Sequence, residues 1–102
     1  MSRREQLEEL LQSDPDDVFL QYALALEFVS AGDADEGLSR LAKVNDQHPE
    51  YVAAYFQRGQ VLAEQGRTDE ARDALTRGMK VAQQVGDAHA EREMSEFLET
   101  LG

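Results

Sequence analysis

Residues 18–29 read V-F-L-Q-Y-A-L-A-L-E-F-V, with Gln21 and Glu27 the only strongly polar members, and their reading decides the fold. As a helix this stretch is apolar almost all the way round, whereas a surface helix of a small domain needs only one apolar stripe. One face is therefore expected to join a core, and the other to meet something further. Moving 34 residues along gives V-A-A-Y-F-Q-R-G-Q-V-L-A at 52–63, which keeps the apolar spacing. The same shift pairs Pro15 with Pro49, Tyr22 with Phe56, Phe28 with Leu62, Gly32 with Gly66, Asp35-Glu36 with Asp69-Glu70, and Leu41 with Leu75. A helix-turn-helix period of this length marks a solenoid, in which each helix pair buries its apolar face against its neighbours.

Working outward, helical periodicity and stop signals predict six helices. The first covers residues 2–13, with Leu7, Leu10 and Leu11 on one face. Asp14 is expected to cap the second helix and Pro15 to sit in its first turn, the helix running to about Ala31. Gly32 stops it, Asp33 caps a third helix to about Gln47, and His48-Pro49 precedes a fourth from about Glu50 to Gln65. Gly66 closes that one, a longer fifth runs from about Thr68 to Val85, and Gly86-Asp87 leads into a sixth from about Ala88 to Leu101. Short turns imply antiparallel neighbours, and no stretch alternates with the period of a strand.

These residues resemble the tetratricopeptide repeat family, whose pattern is an aromatic, Leu-Gly, an aromatic, Ala, Phe and a closing Pro. The second repeat offers Tyr55, Arg58-Gly59, Leu62, Ala71 and Leu75; the first offers Gln21, Leu24-Ala25, Phe28, Gly37, Leu41 and Pro49. Three positions depart from the pattern: Gln21 stands for the aromatic, Arg58 for Leu, and Gln83 for a third Pro. The small residues Ala25, Gly37, Gly59 and Ala71 suit close helix crossings. The resemblance implies an all-α antiparallel helix-turn-helix solenoid in one domain, residues 1–102. Residues 2–13 form an N-terminal half-repeat, 14–48 and 49–82 two full repeats, and 86–102 a capping helix.

In this family the first helix of each repeat lines a concave groove. The resemblance then assigns Leu24, Ala25 and Phe28 to packing, and leaves Phe19, Tyr22, Leu26 and Val29 to face the groove, beside Ala53, Phe56, Gln60 and Ala63 of the second repeat. Some members grip acidic C-termini through Lys, Arg and Asn in the groove; the corresponding surface here has no Lys or Arg, which disfavours that mode. The expected partner is a protein or peptide presenting an apolar helix or large side chains. The alternative is that the same surface makes a homodimer.

Composition removes other classes. Twenty-one acidic against ten basic side chains give a net charge of -11, which opposes binding to nucleic acid or to an anionic membrane. The bases are eight Arg and two Lys, a balance that would suit either a high-salt cytoplasm or an ordinary acidic cytosolic protein. No cysteine is present, and no run approaches the roughly 20 apolar residues of a membrane span, so a cytoplasmic location is expected. The acids around Asp33-Ala-Asp35-Glu36-Gly37 lack the ligand order of a calcium loop and read as helix caps. His48 and His89 read as turn and surface residues. No metal, no cofactor and no catalytic activity are expected.

Overall fold

The computed structural model describes residues 1–102 and contains α1 (Arg3–Ser13), α2 (Val18–Ser30), α3 (Ala34–Gln47), α4 (Val52–Glu64), α5 (Thr68–Val85) and α6 (Ala88–Thr100). Each helix packs on the next in chain order, and α4 also touches α6. The even-numbered helices thus form one layer and the odd-numbered ones the other. The radius of gyration, 13.7 Å, slightly exceeds the roughly 13 Å of a rounded domain of this size, as stacking in one direction requires.

The turns follow from local chemistry, with one correction to the expected caps. Asp14 does not cap α2. It ends α1, Asp14-Pro15-Asp16 forms a turn, and the carboxylate of Asp17 accepts from the Leu20 amide at 3.0 Å. Pro15 therefore lies ahead of the helix, because the turn needs three residues before the chain becomes helical. Pro49 sits in the equivalent place, and α4 starts at Val52 with no side-chain cap. Asp33 and Asp87 cap α3 and α6 as their sequence positions suggest. Gly32 and Gly66 adopt φ of 88° and 74°, and each lets the following amide reach back five residues, Asp33 to the Phe28 carbonyl and Arg67 to that of Leu62.

Leu41, Leu75, Ala25, Ala71, Ala54, Ala74, Ala82 and Met94 are wholly buried, and Leu24, Phe28, Val44 and Tyr55 nearly so. The close crossings fall where side chains are shortest. A Cβ on Gly37 would collide with Val29 of α2, and one on Gly59 would stand 2.7 Å from Leu75. Phe28 lies between two guanidiniums, with Arg4 of α1 4.2 Å and Arg40 of α3 4.4 Å from the ring centre, so one aromatic joins three helices. Leu10 differs from its expected place. Leu7 and Leu11 face α2, but Leu10 is 54% exposed, because α1 packs on α2 alone and its other side stays uncovered.

One departure from the repeat pattern, Gln21, has a physical account. Gln21 donates its Nε2–H to the Pro15 carbonyl at 2.7 Å, and Tyr55 donates its hydroxyl to the Pro49 carbonyl at 2.9 Å. Gln21 thus reproduces the polar tip of the aromatic without its ring. Asn45 ties the end of α3 to the next turn, its Nδ2 donating to the Tyr51 carbonyl at 3.0 Å. Arg72 of α5 donates to the carbonyls of Leu101 and Gly102 at 2.9 and 3.1 Å, holding the end of α6.

Candidate functional site

The even-numbered helices present the surface on which the apolar remainder of residues 18–29 lies. Phe19 is 59% exposed on α2, an unusual state for a large aromatic with an ordered core nearby. Tyr22 and Leu26 are half-buried one and two turns along; both pack against the cluster of Ala25, Leu41, Val44 and Ala54, leaving one side of each open. On α4, Ala53 is exposed, and Phe56, Gln57 and Gln60 are half-buried.

The residues expected to line a groove do not all share one surface, and none of them lines a concavity. Val29 is half-buried, lying against Gly37 and the cluster of Leu38, Val61, Leu62, Ala71 and Ala74, so it closes the crossing of α2 with α3. Ala63 joins the same cluster. Phe19, Tyr22 and Leu26 share α2 at helical spacing, as Phe56 and Gln60 do on α4.

Two further aromatics, Tyr51 and Phe97, lie against these residues. Tyr51 precedes α4 and sets its ring 5.3 Å from that of Tyr22, tilted by 58°. Phe97 of α6 meets Phe56 edge to face, with centroids 6.1 Å apart. Phe97 shares a helical face with Met94, Leu98 and Leu101, so its spacing reads as core alone. The sign it carried was its aromatic size on a helix in the same layer as α2 and α4. Tyr51 had no periodic signal, since it lies in a turn.

One carboxylate, that of Asp17, acts on this largely apolar surface. Burial raises the pKa of the Tyr22 hydroxyl, the nearby Tyr51 adds to this, and the Gln57 amide pulls the other way. Burial also raises that of Tyr51, with the Asp17 carboxylate adding to it. Asp17 is therefore close enough to be felt at Tyr51. His48 stands 3.9 Å from Glu50, and His89 lies beside Glu93 on α6 at 2.6 Å; neither lines a concavity. No three His, Asp or Glu side chains converge as a metal site would require, and no helix is long and apolar enough to cross a membrane.

The tetratricopeptide repeat family matches residues 28–92, more than half of the chain. The chain belongs to the tetratricopeptide repeat family. A TPR repeat-containing protein of Pseudomonas aeruginosa is 33% identical over 97 residues, spanning 95% of this chain and 92% of the relative. The solution structure of a protein from Bordetella parapertussis superposes with a TM-score of 0.86 at 30% identity, covering 99% of this chain and 88% of the other. A tetratricopeptide repeat domain protein from Salinibacter ruber, also solved in solution, gives 0.82 at 29% identity over 85% and 88% of the two chains. Tetratricopeptide repeats are protein-interaction folds, and their even spacing of helix pairs is the one seen here.

Proposed function

We propose that this chain is a non-catalytic adaptor that binds an apolar helix or an extended peptide with large side chains in the groove of α2, α4 and α6. The observation that carries the proposal is Phe19. Its ring is left in water although the helix it belongs to is fully integrated into the fold, and it shares a face of α2 with Tyr22 and Leu26. An apolar occupant would cover Phe19 and the open sides of Tyr22 and Phe56, each Å² removed from water contributing about 25 cal/mol. Asp17 at the border favours a partner with a basic residue beside its apolar anchors. Gln57 and Gln60 offer amides to a peptide backbone where a Lys or Arg would instead select carboxylates.

Selection of displayed helical peptides on the intact chain tests this reading. Enrichment of sequences with large apolar residues at i, i+3 or i+4 and i+7 supports it, and enrichment of acidic C-termini contradicts it. The homodimer reading uses the same surface and differs in what fills it. Sedimentation over a concentration series separates the two, since a chain that stays monomeric at high concentration has its groove free for another partner.

A further inference from the structure

On the side of α4 away from the groove, α3, α4 and α5 enclose a cleft of about 510 Å³. Arg58 and Leu62 of α4 lie at its floor, two residues and so some 200° of helical turn from Phe56 and Gln60. Arg58 occupies the position at which the repeat pattern has Leu. Packing alone would be served by that Leu, yet this chain puts a half-buried guanidinium there.

No carboxylate pairs with it, although Asp35, Glu70 and Asp73 line the same cleft. Ion pairs engage Arg3, Arg4, Arg40, Arg67 and Arg72, and none engages Arg58 or Arg77. Arg77 of α5 lines the same cleft, stands 6.0 Å from the centre of the Tyr55 ring, and is near enough to Arg58 for the two charges to repel. Burial and then that repulsion push the Arg58 guanidinium below its usual pKa, while Tyr55 and Asp46 act in the opposite direction. Two cations with no paired anion, one of them partly desolvated, make an arrangement that an incoming anion completes.

We propose that the cleft is an oxyanion site that takes a monocarboxylate between Arg58 and Arg77, with a short aliphatic body against Leu38 and Leu62. A planar carboxylate matches the guanidinium fork in two parallel hydrogen bonds. A phosphate dianion is disfavoured, because the carboxylates of Asp35, Glu70 and Asp73 line the same cleft and the chain carries a net charge of -11. Arg67 takes no part, since its Nη2 is held by Glu70 at 2.7 Å. The site is separate from the groove and does not depend on what the groove binds.

The test is a titration of the full chain, labelled with ¹⁵N-arginine, at constant ionic strength. Butyrate represents a free carboxylate, acetyl-Ala-Glu-Ala-amide a peptide side chain, and inorganic phosphate the competing anion. Saturable movement of the Arg58 and Arg77 Nε–H signals with butyrate, with the peptide or with both supports the proposal, and the pattern identifies the source. Arg58→Leu restores the residue of the repeat pattern and weakens that binding by at least about tenfold, the loss expected of a charge-assisted pair. Arg77→Gln, which changes an exposed side chain, gives the same direction should the first variant fold poorly. Signals of Arg58 and Arg77 that move no more than those of Arg3 and Arg92, tighter saturation by phosphate, or undiminished binding in both variants would overturn it.

Discussion

Gln21 and Tyr55, 34 residues apart, each donate a hydrogen bond to the carbonyl of the proline six residues earlier, Gln21 to Pro15 at 2.7 Å and Tyr55 to Pro49 at 2.9 Å. The repeat is conserved in bonding where it is broken in residue type. Gln21→Leu is expected to lower stability by about 0.5 to 1 kcal/mol, the low end of a hydrogen bond's contribution because the Pro15 carbonyl can turn to water. Gln21→Tyr keeps the donor and holds stability within that margin of the parent. Urea denaturation of the three chains measures both.

Gly78 marks the tightest crossing of α5. A Cβ there would stand 2.6 Å from the Tyr55 Cβ and 2.7 Å from the Met94 Sδ. The sulfur can move aside, but the Tyr55 Cβ is fixed to the backbone of α4. Gly78→Ala gains about 0.5 to 1 kcal/mol of helix propensity and costs about 1 to 3 kcal/mol of overpacking, so the net change is a loss. A lower urea midpoint shows it, and a raised midpoint would mean that α4 and α5 can separate at no cost.

Phe28 distinguishes packing from cation–π attraction at the junction of α1, α2 and α3. Phe28→Ala removes a ring that is 5% exposed and is expected to cost about 3 to 5 kcal/mol. Arg4→Ala and Arg40→Ala each remove one guanidinium from a ring face and are expected to cost about 1 kcal/mol or less. Thermal unfolding of the three variants ranks the two contributions, burial being the larger.

Tyr22 and Tyr51 make the fold sensitive to alkali. Both hydroxyls have folded-state pKa values above the ordinary 10.0, first through burial and then through Tyr51 for Tyr22 and Asp17 for Tyr51. The unfolded chain therefore loses these protons first. The stabilisation is fully present below the unfolded value and declines as pH rises through the folded one. Tyrosinate absorbance is expected to show two late-ionising groups, and replacing both tyrosines by Phe is expected to remove the pH dependence in that range. An occupant covering Tyr22 delays its ionisation further.

The helices, their order and the deeply buried Leu24, Ala25, Phe28, Leu41 and Leu75 were legible in the sequence because a solenoid repeats one local rule. Periodicity, αL glycines and acidic first turns all act within a few residues. The surplus apolar surface of α2 was also legible, since Phe19 and Tyr22 exceed what one packing stripe needs. The packing of Val29 was not legible, because its methyl fills the space left by Gly37, a contact made across two helices. The ring contacts of Tyr51 and Phe97 were not legible for a related reason: they arise from the stacking of α2, α4 and α6. Asp14 and Asp17 show the same limit on a small scale, since either could cap a helix and the turn geometry chose the second.

Phe19→Glu tests the groove most directly, because Phe19 is exposed while Phe56 and Tyr22 also support the fold through Phe97 and Tyr51. The measurement is the affinity of a selected apolar helical peptide for the parent and the variant, with amide shifts recorded on binding and a urea midpoint for each chain. The expected result is shifts gathered at Phe19, Tyr22, Leu26, Phe56, Gln60 and Phe97, at least about a tenfold loss of affinity in the variant, and an unchanged midpoint. Unchanged affinity, or shifts gathered instead around Arg58 and Arg77 on the other side of α4, would contradict the account.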